Sequence, residues 1–226
     1  MITFVPGRIW IEERPQRFFG LPMGTRMTLI KLGSGGLFVH SPVVPDEAVE
    51  TLIAREGPVR FVIAPNRLHH LYLTPFLDAH PDAELWVVEE LVKKRRDLAP
   101  AGILGDAPEP GWADEIDQCL FAGSIFQNEA IFLDKPSGTL IVVDLLESVH
   151  RSDPWYYRLI GRLLGTYERP GLTWDQRLCF RDREAARASA ARILSWEFDR
   201  IVLAHGALIA RGGKAVFSEA MRWLTD

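Results

Sequence analysis

The order of strand-like and helix-like patterns constrains this chain more than any other feature. Residues 8–12 read as a short strand, and 27–32 with 37–40 as a hairpin about a glycine-rich turn. Helix and strand then alternate: helix at 45–55, buried strand at 59–64, helix at 70–79, strand at 84–88, charged helix at 89–97. After a Pro/Gly/Ala-rich loop at 99–112, a second hairpin pairs 129–134 with 139–143 around Lys135–Pro136–Ser137–Gly138. Helices at 155–164 and 182–196, a buried strand at 198–204 and an amphipathic helix at 213–224 close the chain. Two similar halves, each a meander followed by helix and strand, predict two mixed β-sheets packed together with helices outside. The 226 residues suffice for one sizeable core, so a single domain over 1–226 is expected.

Three of the apolar runs end alike. Phe61–Val62–Ile63–Ala64 leads into Pro65–Asn66–Arg67–Leu68–His69–His70, Leu140–Ile141–Val142–Val143 stops at Asp144, and Ile201–Val202–Leu203–Ala204 stops at His205–Gly206. Ligands of α/β sheets bind outside the carboxyl ends of the strands, so His69, His70, Asp144 and His205 are candidates for one pocket. Imidazoles with a carboxylate suit zinc first, and iron or manganese next. Gly206 lets the backbone turn sharply and keep the His205 ring facing that pocket.

These residues resemble the metallo-β-lactamase fold superfamily over nearly the whole chain, most closely its uncharacterised members with a degenerate metal motif. The carriers are the hairpin ending in Leu37–Phe38–Val39–His40–Ser41–Pro42, the segment 63–71, the strand 139–144 and the run 201–206. The resemblance implies an αββα four-layer sandwich. Laid over 63–71, the family's His-x-His-x-Asp-His motif finds Pro65 and Arg67 in place of its first two His, His69 in place of its Asp, and His70 at its last His. The next family His falls near Ile125 or Gln127, and no His occurs between 81 and 149. Asp144 matches the bridging Asp, and His205–Gly206 the final His. The resemblance therefore implies that the first of two metal sites is lost. A single site of His70, Asp144 and His205 would survive, with His69 in place of a carboxylate. Adjacent helical residues point about 100° apart, which favours His70 over His69 as the ring in the site. Arg67 either orients an anionic or ester group of a substrate, with Asp144 as its catalytic companion, or forms a buried ion pair with Asp144.

The remaining candidates have plainer readings. A structural hydrogen bond is expected of His40, a surface position of His80, a loop position of His150, and helix packing of Trp155–Tyr156–Tyr157. Cys119 and Cys179 are too far apart in sequence for a thiolate zinc knuckle and read as structural thiols. No GxSxG elbow marks a serine hydrolase. A net charge of −4 leaves no electrostatic footprint for nucleic acid, and no apolar run is long enough to span a membrane. A cytoplasmic protein is expected. Two functions follow: a metallo-hydrolase with one divalent metal, acting through an activated water on a small and anionic substrate, or a metal-free binding or scaffold protein on the same fold. Loops at 16–25, 99–112 and 145–154 are expected to shape the pocket.

Overall fold

The computed structural model describes residues 1–126 and 128–224. Seven strands form the first sheet in chain order: β1 (Ile2–Val5), β2 (Ile9–Arg14), β3 (Thr25–Lys31), β4 (Leu37–His40), β5 (Val59–Ala64), β6 (Glu84–Val87) and β7 (Gly102–Ile103). The pairings from β1 to β4 are antiparallel and those from β4 to β7 parallel. The second sheet has the order β11-β10-β9-β8, built from β8 (Ile116–Phe121), β9 (Glu129–Asp134), β10 (Thr139–Ile141) and β11 (Arg200–Val202). Only β10 and β11 run parallel there.

The helices are α1 (Glu47–Glu56), α2 (Leu73–Ala79), α3 (Glu89–Lys94), α4 (Trp155–Leu164), α5 (Trp174–Leu178), α6 (Arg183–Ser195) and α7 (Gly213–Ala220). Local chemistry sets several of their ends. The Asp46 side chain accepts from the Val49 amide and opens α1, and Asp182 does the same for Ala185 at α6. Gly57 ends α1 at φ 134°, where a Cβ would come within 2.4 Å of the Gly35 carbonyl oxygen.

Period-two alternation explains the layers. On the second sheet Ala130, Phe132, Ile141 and Val202 join the core shared with the first sheet. Their neighbours Ile131, Leu133, Leu140 and Ile201 point the other way, into a core with Ala186, Ala190 and Ile193 of α6 and Phe217 of α7. Phe38 meets Phe132 edge-on across the sheets, with ring centroids 5.3 Å apart. Val49, Leu52 and Ile53 of α1 and Leu73 and Phe76 of α2 cover the first sheet. This is the expected αββα sandwich of two mixed sheets flanked by helices.

Several details differ from the sequence reading. The predicted helix at 70–79 begins only at Leu73, because the preceding residues are held in a side-chain-capped turn. The charged helix stops at Lys94, where Arg95 turns back onto Asp97 and Thr74. Two short strands, β1 and β7, and helix α5 had no clear pattern; β7 lies within the predicted 99–112 loop. That loop does not line the cavity over the strand ends that carry Asp144 and His205. Its Trp112 is buried instead, packing on Phe38, Phe61 and Trp86 with centroids 5.4, 5.0 and 5.3 Å away.

Candidate metal centre

The site lies where both sheets present their carboxyl ends. In the parallel pair β10/β11, Ile141 stands opposite Val202. Three residues further along each chain, Asp144 and His205 emerge side by side, with Nε2 of His205 3.2 Å from Oδ1 of Asp144. From the other sheet, the turn after β5 delivers His69, whose Nε2 lies 3.4 Å from the same oxygen. One ligand atom from each of His69, Asp144 and His205 lies within 4.8 Å of the others.

Each member is held from behind. His205 Nδ1 faces the Met23 carbonyl at 3.3 Å, and His69 Nδ1 lies 2.6 Å from Ser41 Oγ. The Asp144 Oδ2 accepts from Asn66 Nδ2 at 2.6 Å. Asn66 is fully buried, and its Oδ1 accepts the amides of Leu68 at 2.8 Å and His69 at 3.0 Å. That Asx turn fixes the turn from which His69 projects. Beneath Asp144, the buried Glu129 accepts the amides of Val143, Asp144 and Leu145 at 2.7, 2.8 and 3.0 Å. Behind His205, Arg26 donates to the carbonyls of Leu203 and Gly206. Gly206 has φ 127°, and a Cβ there would meet the Ser148 carbonyl oxygen at 2.9 Å, so the tight turn requires glycine.

The charges follow from this enclosure. Burial opposes ionisation of Asp144, yet the neighbouring His69 and His205 rings hold its carboxyl well below the usual range. Burial likewise opposes a charge on His205, but the hydrogen bond and charge of Asp144 carry its pKa above the ordinary value. Burial and then the Asp144 charge raise the Glu129 carboxyl, against the pull of its three amide donors. Burial pushes the Glu147 carboxyl up to about 7, with His205 pulling the other way.

A cavity of about 160 Å³ opens over the cluster. His69, Asp144, His205 and Glu147 line it with Ser41 and Lys94, and Phe18, Met23 and Leu71 supply apolar wall. Gln16 through Thr25 and Glu147 thus contribute as two of the three predicted loops.

The predicted site residues separate here. His69, Asp144 and His205 come together, whereas His70 lines the same cavity without joining their cluster. The expected preference for His70 is reversed because residues 66–70 form a turn and not the start of a helix. The His70 Nδ1 instead meets Nη1 of Arg95 at 3.2 Å, and burial, with Lys94 and Arg95 nearby, lowers its pKa to about 4. Arg67 does not pair with Asp144 and is not part of the cavity wall. It donates to the Phe126 carbonyl at 3.1 Å and lies over the Phe126 ring; Asn66 takes the place beside Asp144. Ile125 is exposed, and Gln127 lies outside the described residues. The hydrogen bond expected of His40 is not made by Nε2, which is buried with no partner among the described residues, and the ring packs edge-on to Phe132. His150 accepts the Ala207 amide at 2.9 Å, and His80 packs against Phe76 in place of a surface position. Trp155 is exposed while Tyr157 is buried. Cys119 and Cys179 are unpaired thiols, and burial pushes that of Cys119 up to about 12.

Sequence reasoning passed over Ser41, Asn66, Glu129 and Glu147. Only Asn66 carried a local signal, a Pro-Asn step after a strand, which marks a turn.

A family model described as a domain of unknown function, DUF4336, matches residues 6–168. The chain belongs to the DUF4336 family. The DUF4336 match takes in Ser41, Asn66, His69, Glu129 and Asp144 and stops before His205. No curated protein matches the chain. Solved structures do match. A metallo-β-lactamase from Pontibacter korlensis superposes with TM-score 0.68 at 10% identity, covering 100% of this chain and 99% of that one. The DIM-1 metallo-β-lactamase gives TM-score 0.67 at 14% identity over 98% and 94%. FIM-1 from Pseudomonas aeruginosa, solved in a mono-zinc form, gives 0.63 at 10% over 98% and 95%. This DUF4336 chain therefore has the metallo-β-lactamase fold. Among the described residues no helix is long and apolar enough to cross a membrane.

Proposed function

We propose that the chain is a metal-dependent hydrolase with one divalent ion held by His69, Asp144 and His205, zinc before iron or manganese. The observation that carries this is the convergence of two Nε2 atoms on one carboxylate oxygen, at 3.4 and 3.2 Å. Donors about 2.1 Å from a tetrahedral zinc stand roughly 3.4 Å apart, so these two spacings fit two edges of such a site. Two imidazoles and a carboxylate leave coordination free for substrate, as in catalytic and not structural zinc sites. The ion would supply Lewis acidity, polarising an ester or phosphoryl oxygen. The chain's own groups do the rest. Asn66 holds Asp144 in place by its Oδ2, and Glu147, with a pKa near 7, is placed to take or give a proton at the cavity wall. Lys94 on the cavity wall favours a small substrate carrying an anionic group, the role expected of Arg67. The absence of histidine at Pro65 and Arg67 supports one ion and not two.

A metal-free binding or scaffold role is the second reading. It is favoured by the pairing of His205 with Asp144, which satisfies the cluster without any ion.

Elemental analysis of untagged protein, followed by zinc titration, separates the two. One equivalent of zinc is expected, with His205→Ala and His69→Ala abolishing uptake and His70→Ala retaining it. Failure of the parent protein to take up zinc, iron or manganese on dialysis would sink the hydrolase reading and leave the scaffold.

A further inference from the structure

Ser41 follows β4 directly and is the residue that turns the chain from the strand into the cavity. Its amide donates to the Ile63 carbonyl at 2.9 Å, its φ is 55°, and its side chain lines the cavity beside His69. A non-glycine residue at positive φ is uncommon, and the conformation is costly unless its surroundings impose it. Here it brings Oγ to 2.6 Å from His69 Nδ1.

An imidazole accepts a metal only through a nitrogen lone pair. A ring that offers Nε2 must therefore carry its proton on Nδ1, and that N–H, once buried, needs an acceptor. His205 has the Met23 main-chain carbonyl at 3.3 Å for this purpose. His69 has the Ser41 hydroxyl, which accepts from Nδ1–H when Nε2 is given to an ion and can donate to a bare Nδ1 when it is not. Without that acceptor, the proton is better placed on Nε2, where it can donate to Asp144 Oδ1 and close the cluster against a cation.

We infer that Ser41 is a positioning residue that accepts from His69 Nδ1–H when Nε2 is engaged by the ion, and so stabilises the ion-binding form of the ring. This rests on the mononuclear reading above. It assigns support of the ligating tautomer to a single side chain outside the ligand set. It also accounts for the strained backbone at residue 41, since the left-handed turn is what carries the hydroxyl under the ring.

The test measures zinc affinity against a chromogenic chelator for the parent, Ser41→Ala, Ser41→Gly and Ser41→Asn. Glycine adopts the positive φ freely, so it guards against a loss that comes from misfolding. Asparagine tolerates that φ and returns an acceptor oxygen. Removing the hydroxyl is expected to weaken zinc binding by about 10- to 100-fold in both small variants, with asparagine recovering part of the loss. In the zinc-loaded parent, nitrogen-15 spectra of the His69 ring should show a protonated Nδ1 beside a metal-bound Nε2, with the Nδ1 signal displaced in Ser41→Ala. Unchanged affinity in a folded Ser41→Ala or Ser41→Gly, or a His69 Nδ1 signal in the zinc-loaded protein that Ser41→Ala leaves unmoved, overturns the role of Ser41. Absence of zinc uptake by the parent overturns the centre itself.

Discussion

The two sides of the cluster are built differently. On the side of the second sheet, side chains and main-chain groups hold each other. Glu129 gathers three consecutive amides around Asp144, Arg26 grips two carbonyls either side of His205, and the Met23 carbonyl faces the His205 ring. On the side of the first sheet, side chains hold side chains: Ser41 on His69 and Asn66 on Asp144, with the Asx turn as the main-chain component. Substituting Glu129 or Arg26 strands buried main-chain groups that remain and need partners, whereas substituting Ser41 or Asn66 removes one partner of another side chain. The Asp144–His205 half should therefore be rigid and stability-determining, and the His69 half adjustable, with its losses felt in ligand binding more than in folding.

The largest effect should come from Glu129→Ala. It strands three buried amides, each costing about 1–3 kcal/mol when unsatisfied, so a loss on the order of 3 kcal/mol or more in urea denaturation is expected. A loss no greater than that of Ser41→Ala would break the contrast between the two sides. Arg26→Met comes next. It frees the Leu203 and Gly206 carbonyls while keeping an apolar stem, and about 1–3 kcal/mol of stability should go with it. Zinc affinity should fall in parallel, because the His205 turn loses its brace.

A pH effect, absent at neutral pH and growing only as the solution is acidified, sharpens the contrast through its histidines. Burial, with a smaller contribution from His69, lowers the His40 pKa from 6.5 to about 3. The unfolded chain takes that proton near 6.5 and the folded one only near 3, so stability falls as pH drops through that window. His40→Leu should make the acid limb of a stability–pH curve shallower. In the metal-free protein His205 acts in the opposite sense. Its folded pKa is raised, so its stabilisation is complete below 6.5 and fades as pH climbs through the folded value. Thermal melts of the parent and His40→Leu across this range check both signs.

Strand ends were legible in the sequence because burial leaves apolar runs, and a His or Asp closing such a run stands out. That was enough to place Asp144 and His205. His69 and His70 were legible as a pair but not in order, since what decides between them is a side-chain acceptor at Asn66 that replaces the helix the periodicity suggested. Glu129 reads as the first residue of a strand; its partners lie 14 to 16 positions away, and no period encodes such a contact. The Arg26 grip on Leu203 spans 177 positions. A pairing of Arg67 with Asp144 is one of the two roles the sequence suggests, and the hydrogen bond it makes to Phe126 instead leaves no trace in the pattern.

Pro65 has a further consequence. Its carbonyl accepts the Ala130 amide at 2.8 Å, a main-chain link from the end of β5 to β9 of the opposite sheet. One residue on, Asn66 reaches the same sheet through Asp144. The gap between His69 and its two companions is thus a gauge of how the sheets are docked. Damage deep in either core, far from any donor atom, would alter the spacing of His69 from Asp144 and His205 before it was visible as unfolding.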